Sequence, residues 1–495
     1  MTVPLQDASA RETPDVPALV DVGSRTLRNT ALVLSARVVS RVLALVVVML
    51  MNRHLDAGQF GVYSTVVAIS GVVTVVMDVG FNTLFQREAA RDPGLLSRYL
   101  SNLASARLFF AVLALGILAA ALQVEGLLPY LAAGFVMMLL ASYSNLLRGG
   151  LYAVQRLKLE ALAIVLESAI LLGTVFAGVL TRQGPGYYLW AYAASYAFDC
   201  LFFLVVLHAR RIARLTWHLD VGFVRRWFWL GLPFALTLVI TSIYFNIDQP
   251  MVTFFKGPTE TGWYSSGYKL FASVLFLPQT MLQVVFPVLS VMYREKDARL
   301  TRTVQRFYKG LLLLGWPITV GCVLLSPAFR FVYQYGPAEP AFQILSLGMV
   351  FMFVTNAFIG ALNSIDRQVS FTWAAFWSMV FNVAANLAII PRFGYLGASW
   401  STVATEFLLC VLAWWLTARH LAAVPVHRLS WRILLAGLLM GAAIFPFRSV
   451  TGFPAIAVIA GGAVVYALAI LVVRALDRED WAQVRRVAPF LPLGR

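Results

Sequence analysis

The sequence predicts an all-α integral membrane protein. It should have about fourteen transmembrane helices: two parallel-repeat six-helix lobes plus two C-terminal helices. Three observations carry this. The 495 residues are 60% hydrophobic and only 13% charged, with a mean hydropathy of +0.78, whereas a soluble domain is nearer half apolar and a quarter charged. The cationic residues alternate from loop to loop with the period that membrane crossings impose. Three short motifs also recur in order at a nearly constant offset of 201 to 211 residues.

Taken in order, the apolar runs give spans at 29–52, 60–85, 107–123, 128–147, 159–181, 187–208, 228–255, 262–292, 310–329, 341–363, 371–391, 396–418, 433–447 and 453–473. Most are near the ~20 residues that cross a hydrocarbon core, the runs at 228–255 and 262–292 being long and the run at 433–447 short. Residues 1–27, with Pro4, Pro14 and Pro17 and no apolar core, are expected to be a flexible cytoplasmic tail rather than a signal peptide. With the N-terminus cytoplasmic, 30 of the 39 Lys and Arg fall in cytoplasmic segments, 6 in outer loops and 3 inside spans: Arg37, Arg41 and Lys269. A missed helix would invert every later loop, so the sustained bias supports the count and places both termini in the cytoplasm. Tyr187, Tyr188 and Trp190, then Trp263 and Tyr264, sit where interfacial aromatics are expected.

The repeats divide the chain. Gly61-Val62-Tyr63-Ser64 and Gly262-Trp263-Tyr264-Ser265 open spans 2 and 8. Residues 149–156 (GGLYAVQR) and 360–367 (GALNSIDR) follow spans 4 and 10, and Gly186-Tyr187 and Gly394-Tyr395 open spans 6 and 12. Six helices is an even number, so the lobes share one orientation about an axis along the membrane normal. That is a transporter plan with the substrate between lobes. The expected divisions are a 28–208 lobe, a basic 209–227 linker, a 228–418 lobe, extra helices at 433–475 and a tail at 476–495.

Charges inside spans mark candidate sites, because each is costly in hydrocarbon. Arg37 and Arg41 share one face of span 1. If Arg41 were at the surface, only Val42 to Met51 would remain to cross, about half of what is needed. Arg41 therefore lies within the membrane. Residues equidistant from a hairpin turn lie at one depth, which sets Arg37 level with Asp78, Asp248 level with Lys269, Glu167 level with Asp199 and Glu406 level with Asn382. Arg37–Asp78 and Asp248–Lys269 are expected either as structural ion pairs or as cavity groups. Thr241, Tyr244 and Asp248 form one polar stripe, suited to saccharide hydroxyls. Glu167 and Asp199, two carboxylates at one depth, could hold and release a proton, or one could pair with an arginine of span 1. Glu406, with Asn382 and Asn386, suits either ion coupling or hydrogen bonds between helices. Arg41 alone has no acidic partner at its depth in the neighbouring helix and is the leading substrate candidate. A guanidinium fork matches a diphosphate.

Three stretches resemble a known family: residues 231–295 (GLPFALTLVITSIYFNIDQPMVTFFKGPTETGWYSSGYKLFASVLFLPQTMLQVVFPVLSVMYRE), residues 381–406 (FNVAANLAIIPRFGYLGASWSTVATE) and residues 78–91 (DVGFNTLFQREAAR). They look like the polysaccharide-transporter, O-antigen flippase-like branch of the multidrug/oligosaccharidyl-lipid/polysaccharide (MOP) exporter superfamily. The likeness runs over about residues 25 to 475. It implies two lobes in a V that alternate access and flip polyprenyl-diphosphate-linked oligosaccharide across a bacterial cytoplasmic membrane for cell-surface polysaccharide synthesis. It also implies a polysaccharide polymerase as functional partner.

Other classes fare worse. The +16 net charge belongs to cytoplasmic loops, not to a nucleic-acid surface. Cys200, Cys322 and Cys410 fall in apolar runs without metal-ligand spacing. No nucleotide loop or nucleophile motif is present, so no cofactor and no catalytic residue is expected. A multidrug exporter of the same superfamily needs cavity carboxylates, and the span 1 arginines would repel cationic drugs. A peptidoglycan-precursor lipid flippase also needs cavity arginines and stays open as an alternative. A membrane glycosyltransferase would need larger outer loops.

Overall fold

The computed structural model describes residues 16–154 and 156–477. Among these every regular element is helical. The first lobe holds α1 (Val16–His54), α2 (Ala57–Asp78), α3 (Phe81–Arg91), α4 (Leu96–Val124), α5 (Leu131–Ala153), α6 (Leu157–Leu180) and α7 (Pro185–Ala209). The second holds α8 (Val221–Asn246), α9 (Asp248–Lys256), α10 (Pro258–Ser273), α11 (Phe276–Arg294), α12 (Leu300–Leu324), α13 (Ala338–Ser364) and α14 (Gln368–His420). Two further helices, α15 (Val426–Ile444) and α16 (Phe453–Val472), pack on each other and on α12. Thirteen helical stretches among the described residues are long and apolar enough to cross a membrane. One of these, α14, has 53 residues and is two helices joined at Gly394, whose φ of 58° and ψ of −142° are not helical. Unbent it would reach about 80 Å, far beyond a ~30 Å hydrocarbon core. Counted as two, it gives fourteen crossings.

The breaks follow from chemistry. Pro250 cannot donate to Asn246 and its ring crowds that carbonyl, so α8 stops at Asn246 and α9 restarts at Asp248. Pro278 stands in the same relation to Val274, where α10 gives way to α11. At Gly394 the Glu260 carboxylate, reaching over from α10, accepts the Tyr395 N–H at 3.0 Å and satisfies an orphan donor of the new helix.

The repeat is visible as contact symmetry. Gly61 packs so tightly that a Cβ there would overlap the Pro258 carbonyl oxygen, and a Cβ on Gly262 would overlap that of Ala57. These are one contact seen twice, since 57 and 258, like 61 and 262, differ by 201. Two hydrogen bonds repeat the pattern. The Thr65 and Thr253 hydroxyls bond at 2.5 Å, and Ser266 Oγ donates to Asn52 Oδ1 at 2.9 Å. Residues 52 and 253, and 65 and 266, again differ by 201. This pseudo-two-fold clasp seals the bundle end that carries the α1–α2 and α9–α10 turns. Tyr335 reinforces it by donating to the Leu55 carbonyl at 2.7 Å. The opposite, basic end carries the Arg-rich segments. On the α2–α8 side the lobes touch there too, where a Cβ on Gly231 would lie 2.6 Å from the Val79 carbonyl oxygen.

Several expectations are corrected. Helix α1 starts at Val16, so the flexible tail expected for 1–27 is helical from there; 1–15 and 478–495 lie outside the described residues. Helix α8 starts at Val221, inside the expected 209–227 linker. Tyr188 and Tyr264 are wholly buried, not interfacial.

Candidate functional site

Between the lobes, on the basic side of the clasp, lies a cavity of about 250 Å³. Helices α1, α2 and α7 wall it on one side, and α8, α9 and α10 on the other. Arg41 enters from α1 and Lys269 from α10, so opposite lobes each supply one cation. Arg41 makes no hydrogen bond or ion pair among the described residues, and Lys269 Nζ stands 5.8 Å from the centre of the Tyr63 ring. Tyr192, Tyr268, Asn246, Gln249 and Ser273 complete the polar lining, and no carboxylate contributes.

Helix rise orders the cations by depth. Lys269 is three residues from Ser266, about 5 Å below the clasp, while Arg41 is eleven from Asn52, about 16 Å below it. Arg37 is one further turn toward the basic end. It donates to the Tyr152 hydroxyl at 2.8 Å and lies 3.6 Å from Glu160; its side chain is 44% exposed, against 2% for Glu160. By depth the three cations follow one another toward the basic end, and of them Arg41 and Lys269 line the cavity.

The expected Arg37–Asp78 pair does not form. Asp78 takes Arg107 instead, at 2.7 Å. Arg107 is wholly buried in α4, donates also to Asn82 at 2.8 Å, and bonds the Ser142 carbonyl. Hydropathy sets Arg107 at the very start of the 107–123 run, where it counts with the preceding cytoplasmic cations, because a charged residue marks the end of an apolar run. Arg148 escaped for the same reason. It lies inside α5 and holds both Asp199, at 2.5 Å, and Glu167, at 3.0 Å. The arginine on these acids therefore comes from α5, not from span 1. Both residues could have been found by asking which interior carboxylates lacked a partner.

The Asp248–Lys269 pair does not form either. Asp248 opens α9 and turns into the second lobe. There it accepts from Tyr264 at 2.7 Å, Thr402 at 2.8 Å and Asn386 at 2.6 Å. Asn386 also donates to Asn382 at 3.2 Å, and Tyr244 donates to Glu406 at 2.7 Å. This knot ties α8, α9, α10 and both arms of α14, and encloses only about 10 Å³. Thr241 bonds back to the carbonyls of Thr237 and Leu238 in its own helix. The polar stripe thus splits: Tyr244 and Asp248 join the knot, and Thr241 lines neither the knot's small void nor the cavity.

The comparisons agree with this architecture. A lipid II flippase MurJ in an inward closed conformation superposes with a TM-score of 0.74 at 15% identity, covering 90% of this chain and 99% of that one. An inward-facing multidrug resistance MATE family transporter of the MOP superfamily gives 0.62 at 16% identity, covering 77% and 94%. At these identities the likeness shows the fold. The teichuronic acid biosynthesis protein TuaB of Bacillus subtilis (strain 168) is 22% identical over 342 residues, 64% of this chain and 66% of that protein. The chain spans 43 to 66% of the length of the curated relatives it matches. The sequence model of the polysaccharide biosynthesis protein family matches residues 26–293, more than half of the chain, and with the fourteen-crossing, two-lobed fold this makes the chain a multi-pass membrane protein of that family, with the fold of the MOP-superfamily transporters.

Proposed function

We propose that this protein is a flippase, not an enzyme, for polyprenyl-diphosphate-linked oligosaccharide. It works by alternating access in a bacterial cytoplasmic membrane, with the basic end and both termini facing the cytoplasm, and serves cell-surface polysaccharide synthesis. One observation carries the reading: Arg41 and Lys269 reach from opposite lobes into one cavity whose lining has no carboxylate. An interior cation without a counter-ion is costly, and an anionic substrate supplies the missing charge. The diphosphate passes from Arg37 at the mouth to Arg41 and then to Lys269. The first sugars meet Asn246, Gln249 and the Tyr192 and Tyr268 rings, which offer amide hydrogen bonds and apolar faces. The cationic lining disfavours amphiphilic cations and so a drug exporter. The partners are the lipid-linked glycan, the bilayer and a polysaccharide polymerase, not nucleic acid.

A second reading, a flippase for the peptidoglycan precursor lipid, is favoured by the likeness to a lipid II flippase. Mass spectrometry of lipid extracts separates the two. Cells lacking the protein should accumulate a polyprenyl-diphosphate saccharide, cleared by wild type and not by well-expressed Arg41→Ala or Lys269→Ala. Accumulated peptidoglycan precursor would select the second reading. Clearance by Arg41→Ala at the wild-type rate would sink the phosphate site.

A further inference from the structure

Outside the cavity, the first lobe holds a second group of interior charges that the flippase reading leaves unused. Arg148 of α5 is bonded to Glu167 of α6 and to Asp199 of α7. Two carboxylates share one guanidinium, so the group has one negative charge too many. Asp199 is wholly buried. Its Oδ2 accepts from Arg148 and from Ser144 at 2.8 Å, while its Oδ1 is buried with no hydrogen-bond partner. Arg148 Nε is likewise buried and unmatched. An uncompensated interior charge is unfavourable, and a proton on either carboxyl would remove it and give the orphaned side a donor.

We infer that Glu167 and Asp199, clamped by Arg148, form a binding site for one exchangeable proton in the first lobe. The site is distinct from the substrate cavity, since none of the three lines it. Asp199 is sealed, but the Glu167 and Arg148 side chains keep 20% and 22% exposure, so the proton enters and leaves through Glu167. The neighbouring groups do not supply the missing positive charge. Helix α7 brings Tyr192, Tyr196 and Cys200, and α2 brings Tyr63 against Tyr192. Helix α1 packs on α6 and bonds Ser40 to Ser168, beside Glu167. Its Arg41 lines the cavity, and its Arg37 is taken by Glu160 and Tyr152. Arg107 of α4 is already held by Asp78 and Asn82. Under the flippase reading, on which this last step rests, the proton supplies the driving gradient that the sequence, lacking a nucleotide loop, must find elsewhere.

The test uses ligand-free, full-length protein in lipid nanodiscs, so it is independent of the cargo. Infrared difference spectra across a pH titration should show a carboxylic-acid carbonyl band. The titrating component should disappear in Glu167→Gln and in Asp199→Asn, because each leaves a balanced one-to-one pair with Arg148, and both variants should stay folded for that reason. Glu406→Gln, in the second lobe, should leave that component in place. Arg148→Lys preserves the charge count and should keep the band with a shifted midpoint. The proposal is overturned if the titrating band survives both carboxyl substitutions, if it vanishes in a folded Arg148→Lys, or if it follows sodium concentration instead of pH. A failed search for accumulated glycolipid would remove the flippase reading and leave this result intact.

Discussion

Arg107 lies eleven residues into α4, wholly buried, with Asp78 and Asn82 on one terminal nitrogen and the Ser142 carbonyl on the other. It joins α2, α3, α4 and α5 at one point. Removing one member of such a pair strands the other charge, which costs about 3–5 kcal/mol. Arg107→Ala should therefore lower the melting temperature in detergent sharply, and Arg107→Ala with Asp78→Asn should recover much of the loss. Equal melting of the single and double variants would show that the pair is not what the site depends on. The Arg41 position was legible because the apolar run beyond it is too short to span a bilayer. The Arg107 and Arg148 positions were not, because the same hydropathy logic counts a charge at a run's end with the adjoining loop. Depth matching brought Glu167 and Asp199 to one level but could not name a partner from a helix not adjacent in sequence. It failed for Asp248 and Lys269, because depth says nothing about which way a side chain points.

At the scale of elements, the breaks decide what faces the cavity. The Asn246–Asp248 break turns Asp248 into the knot and leaves Asn246 and Gln249 in the cavity wall. The Gly394 bend is the sharpest case. Its backbone angles are ones that L side chains rarely adopt, and a Cβ there would collide with the Glu260 carboxylate that caps Tyr395. Backbone strain of that kind costs about 1–3 kcal/mol. Gly394→Ala should lower the melting temperature accordingly, and Gly336→Ala, where nothing stands within 4 Å and no left-handed angle is recorded, should not. Matching melting curves for both would remove the special role of Gly394. The sequence placed this boundary well, since glycine after Pro391 and Arg392 separates two apolar runs, whereas the α8–α9 and α10–α11 breaks lie inside single apolar runs and needed the prolines to be weighed.

For the whole molecule, the repeat at 201 residues relates the contacts between the two lobes. Because Asn52–Ser266 and Thr65–Thr253 are the same contact under the pseudo-two-fold, the clasp is balanced about the cavity axis. Each half is a hydrogen bond of modest net strength, about 1 kcal/mol, laid over glycine contacts that admit no side chain. Such a joint is specific in register yet light enough to open. On the proposed flippase cycle it must open, because with it closed no lipid-borne saccharide larger than the cavity could leave at that end. In a background where Cys200, Cys322 and Cys410 are replaced, Thr65→Cys with Thr253→Cys should form a disulfide, and so should Asn52→Cys with Ser266→Cys. Either cross-link should stop clearance of the accumulated glycolipid, and a reductant should restore it. The single cysteines should clear it throughout. If a fully cross-linked protein still cleared its lipid, the sealed end would not be the exit, and the cargo would have to leave the cavity without the lobes parting there.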